Sequence, residues 1–184
     1  MPTTKRAKPR RRPAPGRRSL SHVSGAGALR MVDVSAKPPT ARQAVAAGFI
    51  AIGSEARAVL RRGGAAKGNV LEAARLAGIM AAKRTSELIP LCHPLPLSHV
   101  AVEFVARRGG YEIRATARTT AGTGVEMEAL AAVAVAALTV YDMLKAVDRE
   151  MVIGEIRLIE KRGGRSGVFR RAPTRRGRPA RALR

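Results

Sequence analysis

Asp142 and Lys145 stand three residues apart in the segment Tyr141-Asp142-Met143-Leu144-Lys145. That spacing puts both side chains on one face of a helix. A carboxylate beside an ammonium is commonly a surface ion pair of little energetic weight. The same pair can serve as general acid and base next to a bound phosphate. A second group is Leu91-Cys92-His93, enclosed by Pro90 and Pro94. Prolines at both ends hold such a segment out of helical geometry. In this stiff loop His93 is either presented to a ligand or kept as a buried or capping histidine.

A third group, Gly122-Thr123-Gly124-Val125-Glu126-Met127-Glu128, runs into a long apolar stretch. Thr123 with Glu126 three residues later has the form of a capping box, and early acids suit a helix dipole. Two glycines ahead of a helix also suit anion binding, although the pattern is neither a Walker motif nor a dinucleotide fingerprint. Lys67, in Ala66-Lys67-Gly68-Asn69, precedes another expected helix, where lysine and helix start together could hold a phosphate. Lys161 leads into the basic turn Arg162-Gly163-Gly164-Arg165-Ser166-Gly167. Each lysine alone reads mostly as a solvated charge. Cys92 and His93 are adjacent, there is no second cysteine, and His22 and His99 lie at no motif spacing, so no metal site is expected.

These residues need elements to position them. Residues 42–52 read as a strand, and Ser54 is placed to cap a short helix ending at Gly63-Gly64. A longer helix is expected from Asn69 to about Leu88, ended by Pro90. Two period-two runs, 100–105 and 111–116, flank Arg107-Arg108-Gly109-Gly110 and predict a hairpin. A second long helix is expected over 125–147 and a last strand over 151–159. The order is that of a β-α-β-β-α-β, ferredoxin-like α+β domain with an antiparallel sheet and helices on one face. Glu128 and Asp142 then share one stripe of one helix, fourteen residues and about 21 Å apart. One small substrate could not touch both in one subunit, so if both ends act, the site joins two subunits.

The chain has 184 residues and a net charge of +22. Residues 1–18 carry eight basic residues and residues 170–184 carry seven, with no acid in either, which leaves +7 for the segment between. The expected organisation is a disordered basic tail (1–18), one domain (19–169) and a second such tail (170–184). Prolines 2, 9, 13 and 15 oppose the amphipathic helix of a transit peptide. A single cysteine, no secretory leader and no uncharged membrane-length run fit a reducing, cytoplasmic location without contact with a membrane.

Several long segments, in order, carry a resemblance. They are M-V-D-V-S-A-K at 31–37, K-G-N-V at 67–70 and A-G-I-M-A-A-K-R-T-S-E-L-I-P-L-C-H-P-L at 77–95. Further on come T-G-V-E-M-E-A-L at 123–130, A-A-L-T-V-Y-D-M-L-K-A-V at 136–147 and M-V-I-G at 151–154. Over residues 20–169 the chain resembles the molybdenum cofactor biosynthesis protein C (MoaC) family, the cyclic pyranopterin monophosphate synthases. The resemblance implies a lyase that rearranges 3′,8-cyclo-7,8-dihydroguanosine 5′-triphosphate and releases pyrophosphate, without metal or redox cofactor. It implies catalytic roles for Asp142, Lys145 and Lys67, and substrate binding by Leu91, Cys92, His93, Glu126, Met127, Glu128 and Lys161. It also implies a homo-oligomer, a hexamer built as a trimer of dimers, with sites at the dimer interface. Arg165 departs from the lysine of relatives; it keeps the charge but cannot act as a base at neutral pH.

Two other classes compete. A sequence pI near 11.8 suits a nucleic-acid binder, and the tails would bind polyanions in a salt-dependent way. Aromatic residues, at 3%, are too few for stacking platforms, and no nucleic-acid-binding signature stands out. A non-catalytic phosphate-ligand module has no need to keep Asp142, Lys145, Lys67 and His93 together.

Overall fold

The structure, a computed structural model, describes residues 22–23, 27–62 and 69–172. The chain forms two units, residues 1–32 and 33–184. In the first, Val23 and Leu29 make an antiparallel bridge and the Arg30 amide donates to the His22 carbonyl at 3.0 Å.

The second unit holds β1 (Thr40–Ala51), α1 (Ser54–Arg61), α2 (Val70–Lys83), α3 (Thr85–Leu88), β2 (Leu97–Arg107), β3 (Gly110–Ala121), α4 (Glu126–Leu144), β4 (Val152–Arg162) and β5 (Phe169–Arg170). The strands form one antiparallel sheet in the order β2-β3-β1-β4-β5. Its first four strands have the ferredoxin-like arrangement, and β5 extends the edge. Both long helices pack on one face of this sheet.

That packing is close because the facing residues are small. β1 turns Ala44, Ala46, Gly48 and Ile50 toward the helices, and β3 turns Ile113, Ala115 and Ala117. α4 answers with Ala129, Ala132, Val133, Ala136, Ala137, Val140 and Leu144, a buried stripe at helical spacing. A Cβ at Gly48 would lie 2.7 Å from Val133 Cγ1. A Cβ at Gly78 of α2 would lie 2.8 Å from the Ala132 carbonyl oxygen. α4 has the length and apolarity of a membrane span, and here its buried stripe makes it the core helix of the domain.

Several local expectations need correction. Ser54 does not cap α1; Gly53 is the cap position, and its amide donates to Asp148 Oδ2 at 2.7 Å. The helix expected over 69–88 breaks at Arg84 into α2 and α3. Buried Thr85 turns its hydroxyl onto the carbonyls of Ala81 and Ala82, a back-bond that competes with regular helix geometry. Thr123 and Glu126 form no capping box: Val125 is the cap position of α4 and no side chain caps it. α4 ends at Leu144 rather than 147, and β4 runs to Arg162 rather than 159. Asn69 does cap α2, accepting from the Glu72 amide at 3.2 Å. The described chain continues through β5 to Ala172. The tail expected over 1–18, the Gly63-Gly64 stop and residues 173–184 lie outside the described residues.

If contact at Gly78 sets the separation of α2 and α4, adding side-chain volume there must force them apart. Gly78→Val should lower unfolding stability by about 1–3 kcal/mol, measured by urea denaturation. Unchanged stability would mean that the helices are not held at this distance.

Candidate active site

Around the N-terminus of α4 the fold gathers residues from five separate parts of the sequence. After α3 the chain makes a turn through Pro90 and Leu91, closed where the Cys92 amide donates to the Ile89 carbonyl at 3.0 Å. The loop is tied down where Thr119 Oγ1 of β3 donates to the Pro96 carbonyl at 2.6 Å. Leu91, Cys92 and His93 are all half-buried. Because β3 leads directly into α4, this tie brings the loop up to the start of that helix.

Glu128, in the first turn of α4, is only 4% exposed. Burial pushes its carboxyl above the usual carboxylate range and the Glu126 charge pushes the same way, while its own backbone amide opposes both. The Cys92 thiol is also raised, first by burial and then by the Glu128 charge, so the two side chains are electrostatic neighbours. Glu126 turns its carboxylate over Gly124, where a Cβ would collide with it, and lies 3.8 Å from Lys161 Nζ. The Lys161 ammonium also donates to Ser166 Oγ in the following turn. Met127 is exposed beside them. The result is a buried acid, a second acid and a cation around an uncapped helix N-terminus.

Two contributors carried no assigned role in the sequence. Asp33 accepts from the Ser35 hydroxyl at 2.7 Å and amide at 2.9 Å. Those bonds lower its pKa most, and the charges of Lys37 and His93 lower it further, which places this turn beside the Leu91–His93 loop. Arg42 of β1 donates to the carbonyls of Ala121 and Gly122, both at 3.3 Å, and lies against Gly164. It thereby holds the entry to α4 and the turn after β4 together. The 31–37 match pointed to the first of these; nothing in the sequence around Arg42 pointed to the second.

Asp142 and Lys145 sit at the other end of α4. Lys145 Nζ donates to Asp142 Oδ1 at 2.6 Å, and both side chains are more than half exposed. The chain beyond them is fixed: Tyr141 Oη donates to the Arg149 carbonyl at 3.1 Å, and Asp148 bridges the amides of Gly53 and Glu150. α4 is one unbroken helix, so Glu128 and Asp142 are about 21 Å apart along its axis. The fold therefore brings together Cys92, His93, Glu126, Glu128 and Lys161, with Leu91 and Met127 alongside, and keeps Asp142 and Lys145 apart from them. Lys67 lies outside the described residues.

A family profile described as the MoaC family matches residues 31–164, which takes in both ends of α4 and every element that positions them. The chain belongs to the MoaC family. It is 60% identical over 154 residues to the cyclic pyranopterin monophosphate synthase of Thermomicrobium roseum, covering 83% of this chain and 93% of that one. It is 58% identical over 150 residues to the synthase of the same name from Brucella ovis, covering 80% and 91%. The synthase of that name from Chloroflexus aggregans is 58% identical over 154 residues, covering 83% and 93%. The matched residues of this MoaC-family chain exclude the tail 1–18 and everything after residue 164.

The buried acid gives a pH prediction. A carboxyl whose pKa is raised by folding binds its proton more tightly in the folded state, so its contribution is full at acid pH and is lost as pH rises through the raised value. Glu128→Gln removes that titration. The variant should be more stable than wild type at neutral pH, and the difference should vanish as pH falls toward 4.5, the ordinary value for glutamate. Thermal unfolding across pH measures this; a difference constant with pH would contradict a desolvated Glu128.

Proposed function

We propose that this chain is a cyclic pyranopterin monophosphate synthase of molybdenum cofactor biosynthesis. It takes 3′,8-cyclo-7,8-dihydroguanosine 5′-triphosphate to cyclic pyranopterin monophosphate and pyrophosphate, as a phosphorus–oxygen lyase of the cytoplasm. The observation that carries this is the match to synthases of that name at 58–60% identity over more than nine-tenths of their length.

The chemistry fits the side chains. Opening the imidazole ring with water, forming the pyran ring and closing a cyclic phosphate all move protons and need no net oxidation. Asp142 and Lys145, already sharing a hydrogen bond, are suited to general acid–base work, with Lys67 as a third proton carrier or phosphate ligand. At the other end of α4, Lys161 supplies positive charge for the triphosphate and the departing pyrophosphate, and Arg165 in the adjoining turn is suited to the same task. Leu91, Cys92, His93, Glu126, Met127 and Glu128 form the wall for the purine and sugar.

Neither cluster is a complete site by itself. The two are joined if the C-terminal end of α4 from one subunit meets the N-terminal end from another, in a dimer that is the unit of a hexamer. The outward surfaces of the helices support such an assembly: Leu76, Met80 and Leu138 are 59%, 45% and 57% exposed on the layer that carries both clusters.

The direct test is turnover of the cyclised dihydro-GTP substrate, following both products by mass spectrometry. Wild type should form both, and Asp142→Asn, with unchanged circular dichroism, should be slower by a factor of about 10² or more. No product from folded wild type would overturn the assignment; equal rates would remove Asp142 from the chemistry.

A further inference from the structure

Asp142 and Lys145 ride on the end of α4 with side chains more than half exposed, so the backbone of that last turn, not burial, sets where they stand. A helix end leaves carbonyls without intrahelical donors, and a glycine in the left-handed region commonly closes it. Residues 145–150 contain no glycine, and none of them has a positive φ. The end is closed instead by the chain folding back. The amides of Val147 and Asp148 both donate to the Leu144 carbonyl, at 2.8 and 3.0 Å. The Asp148 carboxylate then reaches away from the helix. Its Oδ2 accepts from the Gly53 amide at 2.7 Å and its Oδ1 from the Glu150 amide at 2.9 Å. One residue therefore joins the end of α4, the start of α1 and the entry to β4.

Gly53 is a firm anchor for that carboxylate. It follows the end of β1, where the Ile52 amide donates to the Gly109 carbonyl at 2.9 Å and Ala51 pairs with both Gly110 and Val152. Its φ of −61° and ψ of 164° suit any residue, so the backbone does not require glycine there. The carboxylate does: a Cβ at position 53 would lie 2.9 Å from Asp148 Oδ2 and 3.5 Å from Asp148 Cγ. The missing side chain at 53 and the short acid at 148 thus fit each other across 95 residues of sequence. Hydrogen bonds to a charged group are stronger than neutral ones, so this contact is a stiff one. Tyr141, next to Asp142, adds a second tie through its hydroxyl on the Arg149 carbonyl at 3.1 Å. An acid at the start of α1 also suits the dipole of that helix. That role alone would affect stability and leave catalysis per folded molecule unchanged.

We propose that Asp148 is a positioning residue for the synthase reaction: its carboxylate, seated against Gly53, holds the last turn of α4 so that Asp142 and Lys145 meet the substrate in the orientation proton transfer needs. The proposal rests on the reading of that pair as the acid–base groups. A catalytic group displaced by about 1 Å can cost on the order of 10² in rate, so the loss falls on kcat. The recognition groups at the far end of α4 are left in place, so KM is retained.

The test is steady-state turnover of the cyclised dihydro-GTP substrate by full-length variants whose folding is checked by circular dichroism. Asp148→Ala should lower kcat about tenfold or more and leave KM within about twofold. Asp148→Asn keeps a carbonyl acceptor for the Gly53 amide and should recover most of that loss. Gly53→Ala keeps the charge but displaces the carboxylate, and should lower kcat about threefold or more. In an Asp142→Asn background, adding Asp148→Ala should cost little further, because residues that act through one group are not additive. Wild type that forms no product would overturn the synthase reading and this proposal with it. With wild type active, three results would overturn the positioning role alone. In the first, Asp148→Ala turns over at the wild-type kcat. In the second, Asp148→Asn is as slow as Asp148→Ala while Gly53→Ala is normal, which makes the charge the agent. In the third, Asp148→Ala slows Asp142→Asn by the same factor as it slows wild type, which makes the defect one of the whole fold.

Discussion

The close approach of α4 to its neighbours governs the rest of the structure. On one side Gly48 lets the helix rest on β1, and on the other Gly78 lets α2 rest on α4. Alanines fill most of the remaining contact. Packing of this kind tolerates little added volume, so a straight, fixed rod lies across the sheet with its two ends held in set places. Val125, at the N-cap position, supplies no side-chain cap, and within the first turn the Glu128 carboxylate engages its own amide. The remaining amides of the first turn face whatever the neighbouring loops bring to them.

What they bring is opposed charge in a partly dry setting. Glu128 is buried where the helix dipole favours a carboxylate and desolvation opposes it, and desolvation wins. Its charge in turn weighs on Cys92, while Glu126 is held near Lys161. At the far end Asp142 and Lys145 remain in solvent with their hydrogen bond formed. In the proposed function one end serves recognition and charge stabilisation and the other proton movement. The length of the helix keeps the two ends apart within a subunit, which is why assembly enters that proposal.

The elements governed by local pattern were legible in the sequence. The β2–β3 hairpin follows from alternation around Gly109, whose φ of 85° suits a residue without a side chain. α4 follows from its stripe, and the strand order from the sequence of elements. The errors lay where a distant partner decides. Asp148 serves α1 from 95 residues away, so Ser54 was a reasonable but mistaken cap. Thr85 breaks the second helix because it is buried with its hydroxyl turned back, which its residue type alone does not reveal. For the candidate site, Cys92, His93, Glu126, Glu128 and Lys161 were named from motifs and are neighbours in space. Arg42 was missed because a single arginine in a strand carries no pattern; only the fold shows it joining two turns.

The central claim is that one site is made from opposite ends of two α4 helices. Mixing two inactive variants tests it most directly. Asp142→Asn is defective at the C-terminal end and Lys161→Ala at the N-terminal end. If the site is shared across a two-fold dimer, each mixed dimer carries one site with both residues intact. Subunit exchange at equal amounts should then restore about a quarter of the wild-type rate. If native mass spectrometry shows mixed dimers and no activity returns, the two ends do not meet across subunits, and the account of the site is wrong.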